Sequence, residues 1–206
     1  MPIEYNLSEE DVHELKEVIR EFLSKYKYLF EIRIQKLVYY TELYSIENYG
    51  VRITKANFKP YFYGSFSDTV RRILEEMNLP VKTVRRHGNK TKRYMNYGVS
   101  SDDISIEKRQ IIAKVHQITK NRETDDLAQL SKDTWLFKKL DEGNTMSFAE
   151  YRKFLAEKFD IQEDQSWRNQ LENSPNDLSQ LTFFDENAPL PGDENRLVTD
   201  GGFYKI

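Results

Sequence analysis

The sequence predicts a mainly α fold with α+β character: a compact multi-helix domain that carries a short β-hairpin and is followed by an irregular C-terminal tail. Three observations predict it. Apolar residues recur at spacings of three and four over several stretches before residue 160. The stretch Val81 to Val99 reads instead as two strands around a Gly-Asn turn. After Asp160 the periodicity stops and the chain becomes polar, acidic and rich in turn formers. We therefore expect a helical domain over 1–159 with a hairpin inserted at 81–99, and a largely irregular acidic tail over 160–206.

The elements follow in order. Ser8 before Glu9, Glu10 and Asp11 is a helix start, with a capping hydroxyl and carboxylates at the positive end of the dipole. Val12, Leu15, Val18, Ile19, Phe22 and Leu23 continue it to near Tyr26. A second helix is expected from Ile32 to Asn48, closed by Gly50, which accepts a left-handed backbone. Val51 to Tyr63 is β-branched and aromatic but contains Pro60, so it reads as an extended segment or edge strand. Ser67 and Asp68 open a third helix, with Val70, Ile73, Leu74 and Met77 inward, and Pro80 closes that region. In the hairpin, His87-Gly88-Asn89-Lys90 is the turn. A fourth helix is expected around Ser105 to Asn121, with Ile111, Ile112, Val115 and Ile118 buried. Thr124 to Leu140 reads as two short helical pieces. Ser147 with Glu150 three residues on is a capping box that opens a last helix to Phe159. In the tail, Trp167, Phe183, Phe184 and Phe203 are the side chains able to pin it to a surface.

Composition narrows the chemistry. The 206 residues include no cysteine, which removes disulfides, thiol catalysis and cysteine-ligated zinc. No apolar run approaches the roughly 18–20 residues that cross a bilayer. The acidic, polar start is unlike a secretory signal, so the expected location is the cytoplasm, with no membrane partner. His13, His87 and His116 lack ligand spacing, so no metal or cofactor is expected. Asp102-Asp103 and Asp125-Asp126 are adjacent rather than facing carboxylates, and no nucleophile or phosphate-loop pattern occurs; the chain is not read as an enzyme.

Charge is segregated. Lys82, Arg85, Arg86, Lys90, Lys92 and Arg93 fall in a stretch, Met77 to Ser101, without an acidic residue. From Asp160 onward ten Asp and Glu face three Lys and Arg. Such separation marks an interaction surface or an internal electrostatic contact.

The stretch Ile34-Gln35-Lys36-Leu37-Val38-Tyr39-Tyr40 has helical spacing but places two tyrosines side by side. Lys36 and Tyr40 share a face, Leu37 and Val38 lie nearer the core stripe, and adjacent tyrosines are not expected to point inward together. Gln35 and Lys36 are costly to bury unless paired. Two readings stand side by side: one tyrosine packs against Phe62-Tyr63-Gly64 while the other, with Lys36, reaches the rim of a surface, or all of these residues serve as packing residues that define the fold.

This stretch resembles the LQKLLYY signature of the Panacea-domain family, the SocA-like antitoxins of toxin–antitoxin systems, some of them phage-associated. Phe62-Tyr63-Gly64-Ser65 looks like the family's Tyr-Gly-Pro step before a helix. Leu127 to Trp135 looks like its LSxLSH…W segment, and Gly143 to Tyr151 like its closing turn and helix. The resemblance spans roughly Leu23 to Phe159. Ser65 stands where the family has proline, and Lys132-Asp133 stand at its Ser-His step, so no role of that histidine is carried over.

The resemblance implies a non-catalytic protein-binding module that neutralises a toxin encoded beside it, by masking it or by presenting it to a protease. Its partner-binding candidates are Gln35, Lys36, Tyr39, Tyr40, Tyr63, Gly64 and Trp135. The acidic tail suits a basic toxin. The alternative is a nucleic-acid-binding regulator that grips phosphates with Lys82, Arg85, Arg86, Lys90, Lys92 and Arg93. Strand alternation means that those cations need not share one face.

Overall fold

The structure, a computed structural model, describes residues 7–86, 89–101, 103–140 and 144–159. The tail over 160–206 with its four aromatic anchors, the His87-Gly88 half of the hairpin turn, Asp102 and Gly143 lie outside the described residues.

Seven helices and a small antiparallel sheet form the described fold, which is mainly α with α+β character. The order is α1 (Glu9–Ser24), β1 (Tyr28–Phe30), α2 (Glu31–Tyr49), α3 (Asp68–Glu76), β2 (Val81–Arg86), β3 (Asn89–Met95), α4 (Ile106–Thr119), α5 (Thr124–Asp133), α6 (Trp135–Lys138) and α7 (Phe148–Phe159). The caps are those the sequence signals. Ser8, Ser67 and Ser105 each accept a backbone N–H from the first turn of α1, α3 and α4. Ser147 does the same for Glu150 in α7, at 3.2 Å. Gly50 closes α2 at φ 67°.

Helix α2 is the axis of the fold. The chain from Ile34 to Leu43 is buried without a break, so this helix has no solvent face over that span. α1, α4, α5 and α7 pack around it, with α3 and the sheet closing one end. Every polar side chain on that span must therefore find a partner inside the protein.

Three expectations are corrected. Val51 to Tyr63 forms no strand. Lys59 and Phe66 make one isolated bridge, and Lys55 turns the chain at φ 50°. The segment is instead tied down by side chains: buried Glu42 accepts the Thr54 N–H at 2.6 Å and Arg52 Nε at 2.7 Å. Second, the sheet has a third strand. β1 pairs with β3, placing Phe30 opposite Arg93, and gives the order β1-β3-β2. Third, in α4, Thr119 rather than Ile118 is the last fully buried position.

Candidate functional site

The signature residues of α2 form an internal fastening. The Gln35 carboxamide pairs with the backbone of Ser67 twice: Nε2 donates to the carbonyl at 2.9 Å, and Oε1 accepts the N–H at 3.0 Å. Lys36, 1% exposed, donates from Nζ to the Ser65 carbonyl. Together they clamp the turn between Tyr61 and Ser67 onto α2.

The tyrosines fasten the opposite side. Tyr40 OH donates to the Leu127 carbonyl in α5. Tyr39 OH lies 2.7 Å from Thr134 Oγ1. The Thr134 hydroxyl donates to the Ser131 carbonyl at 2.8 Å, so Tyr39 is the donor of this pair. The Tyr39 ring packs against Phe58 and Phe148, with centroids 5.2 and 6.4 Å away. Burial pushes both phenols well above the ordinary tyrosine range.

These contacts overturn the expected rim. Lys36, Tyr39 and Tyr40 are all buried, and both tyrosines point inward together. They do so because α2 is surrounded: one ring faces α5 while its neighbour faces α6 and α7. What fastens α2 beside the Tyr63-Gly64 segment is Gln35 and Lys36, through the backbone of Ser67 and Ser65 that follow it. Burial holds the Lys36 amine well below the usual lysine range, with a smaller contribution from the charge of Lys132.

Gly64 and Ser131 complete the fastening. Gly64 has φ 82°, and a Cβ there would stand 2.0 Å from Ser131 Oγ and 2.7 Å from the Ala128 carbonyl. Ser131 Oγ donates to that carbonyl at 2.7 Å and accepts the Ser65 N–H at 3.1 Å. Proline at position 65 has no N–H for this bond, so the departure at Ser65 carries its own contact. Ser131 was visible only as one residue of the LAQLSKDTW stretch, because nothing in one strand of text shows which serine meets a turn 66 residues away.

Beside this fastening lies a cleft of about 380 Å³. Gln35 and Lys36 line its floor, Tyr61, Tyr63 and Gly64 one wall, and Lys90 to Lys92 of β3 the other. Two separately predicted groups, the α2 signature and part of the basic hairpin, thus meet here. Trp135 does not line it. Its half-buried ring stacks on Phe154 at 4.7 Å, under Lys139. Within the turn, Tyr61 and Phe62 are exposed (48% and 68%), and Lys132 sits 5.6 Å above the Phe62 ring. Tyr61 was not singled out from sequence, and Phe62 entered only as part of the Phe62-Tyr63-Gly64-Ser65 step, with no exposure expected of it.

The hairpin cations divide. Register pairs Lys82 with Arg93, and Arg85 with Lys90, on opposite faces. On the cleft side Lys92 is paired with Glu75 at 2.9 Å, and nearby Arg71 with Glu31 at 2.8 Å. On the other face Arg93 covers the Tyr28 ring at 4.7 Å and Lys82 approaches Tyr97 at 6.0 Å. Arg86 ends β2.

His13 lies 3.8 Å from Asp103 at the surface, and His116 meets the edge of Tyr26. None of the described helices is long and apolar enough to cross a membrane. No group of three or more His, Cys, Asp or Glu among the described residues is placed to hold a metal ion.

A family model described as "Antitoxin SocA-like, Panacea domain" matches residues 34–136, half of the chain. The matched span starts at the α2 signature and ends at α6, so it contains every residue of the fastening. No curated protein and no solved structure matches the chain.

Proposed function

The chain belongs to the family of SocA-like antitoxins with a Panacea domain, and from that premise we propose that it is a non-catalytic module that binds a cognate protein toxin and masks it. The family points to a toxin partner in general terms. The surface that meets it is, in this reading, the Tyr61–Gly64 turn together with the adjoining cleft.

The observation that carries the reading is the contrast between the two sides of this turn. Gly64 rests on Ser131 and Lys36, and the chain just after it, Ser65 to Ser67, is clamped by Gln35, Lys36 and Ser131, all buried. The outer side of the turn presents Tyr61 and Phe62 to solvent. Exposed aromatic side chains on a rigid support lose little freedom on binding, which is what anchors of an interface need. Gln35, Lys36, Tyr39 and Tyr40 are then positioning residues, and Tyr63 and Gly64 belong to the turn they position. The test is co-expression with the product of the adjacent reading frame, scored by growth. Rescue by the wild type and loss of rescue by Phe62→Asp are expected; a harmless neighbour removes the reading.

A second reading has one observation in its favour. Lys82 and Arg93 share one sheet face, where Arg93 covers Tyr28 and Lys82 approaches Tyr97, rings that are 39% and 60% exposed. Cations interleaved with rings suit phosphates and stacked bases. On this reading the full chain binds a labelled single-stranded oligonucleotide in a salt-dependent way, and Lys82→Glu with Arg93→Glu abolishes it. Binding that survives both changes, or none at low salt, removes it.

A further inference from the structure

Among the described residues, β3 has no strand partner on its β1 side where it borders the cleft, and the direction of its polar groups follows from two hydrogen bonds. The Met95 N–H donates to the Pro80 carbonyl at 2.7 Å, on the β2 side. The Asn96 N–H donates to the Lys27 carbonyl at 3.1 Å, on the β1 side. Successive residues of a strand point their N–H and C=O to opposite edges. Tyr94, Lys92 and Lys90 therefore direct these groups toward β1, while Arg93 and Thr91 serve β2. But β1 ends at Phe30, opposite Arg93, where the chain turns into α2. Among the described residues no strand continues past Phe30 along β3.

The lane that β1 leaves is the cleft itself. Lys90, Thr91 and Lys92 line it on one side, and Tyr61 and Tyr63 stand across from them. A paired strand lies about 4.8 Å from its neighbour. Glu31, which follows Phe30, stands beside Lys92 and lines the same cleft, so an extended segment seated here meets the N–H of Lys92 and the N–H and C=O of Lys90. The side chains of Lys90 and Arg85 are cross-strand neighbours on one face of the sheet, and both are exposed. They favour acidic residues on that face of the occupant, and the tyrosines favour apolar ones toward the turn.

We infer that the toxin docks here by strand addition: an extended segment with acidic and apolar residues pairs antiparallel with β3 at Lys90 and Lys92. This deepens the antitoxin reading and rests on it. Edge strands left open are usually guarded by lysines, and Lys90 and Lys92 guard this one against indiscriminate pairing while leaving the backbone reachable.

The experiment uses the full chain and the product of the adjacent reading frame as probe. Lys92→Pro removes the outward N–H without touching the β2 ladder. Lys92→Ala removes the same side chain, and the same pairing with Glu75, but keeps the N–H. The expected result is at least a tenfold loss of affinity for Lys92→Pro, with Lys92→Ala within about threefold of wild type. Amide exchange on the wild-type complex reads the same contact without mutation: the Lys90 and Lys92 amides slow at least tenfold on binding. Equal affinity of the proline and alanine variants, or unchanged exchange at both amides, overturns strand addition while leaving the antitoxin reading standing. Amides already slowed in the toxin-free chain overturn it too, and point to residues 160–206 as the occupant. Failure of the wild type to form any complex removes the antitoxin reading and this inference together.

Discussion

Gly64 rests directly on Ser131: the Oγ of Ser131 occupies the place where any side chain at position 64 would begin. The turn and α5 are thus fitted to each other at atomic distance, with Lys36 Nζ only 3.1 Å from the same point. This contact explains why a glycine follows Tyr63, and it makes the turn sensitive to the smallest substitution.

Gly64→Ala is therefore expected to destabilise the fold by at least about 2 kcal/mol. A left-handed backbone at a non-glycine residue costs on the order of 1–2 kcal/mol, and the clash with the Ala128 carbonyl adds to it. Chemical denaturation measures this; a loss below about 0.5 kcal/mol contradicts the described contact.

The adjacent tyrosines are expected to respond unequally to loss of their hydroxyls. In Tyr40→Phe the Leu127 carbonyl loses the Tyr40 hydroxyl as a donor inside the protein, at a cost of about 1–3 kcal/mol. In Tyr39→Phe the Thr134 hydroxyl still donates to Ser131 and still accepts the Phe137 N–H. Its cost is expected to stay below about 1 kcal/mol. Unfolding curves of the two variants, side by side, check the order.

Lys36 sets a pH dependence. Its folded-state proton affinity is lowered by burial, from an ordinary value of 10.5. Between the lowered value and 10.5 the unfolded chain holds a proton that the folded chain has given up. Stability therefore rises with pH across that window, by at most about 1.4 kcal/mol per pH unit. Lys36→Met is expected to lack this rise. The measurement is denaturant unfolding of both proteins between neutral pH and pH 10, taken as a difference.

Glu47 sets the opposite one. It is buried, accepts the Tyr151 hydroxyl, and burial raises its carboxyl well above the ordinary 4.5. From 4.5 up to that raised value, the folded chain keeps a proton that the unfolded chain has lost. Stability falls as pH rises through this range. Glu47→Gln keeps an acceptor for Tyr151 without the titration, so the variant is expected to match or exceed wild type at neutral pH. A variant less stable than wild type at every pH contradicts this.

Much of the fold was legible because its signals are local. Ser8, Ser67 and Ser147 cap the helices their sequence context announces, and Gly50 ends α2. β1 was not legible: three residues between two helices carry no alternation, and the strand exists only because β3 offers it a partner. The 51–63 segment misled because Thr54 is held inside by hydrogen bonds to Glu42 rather than by a ladder, while Val51 stays exposed. The site was half legible. The QKLVYY stretch stood out as a signature, but its orientation depended on α2 being enclosed on all sides, and that is a property of the packing. Tyr61, the exposure of Phe62 and the open edge of β3 left no signal, since exposure and strand pairing are set by residues distant in the chain.

The signature residues hold the chain just after Gly64 from within, and in the proposed function the outer side of the Tyr61–Gly64 turn meets the toxin. Phe62→Asp tests this contact most directly, in a growth assay with the neighbouring gene product. Phe62 is exposed, so the variant is expected to unfold at the wild-type temperature yet fail to rescue growth. Full rescue by a folded Phe62→Asp protein would contradict the account.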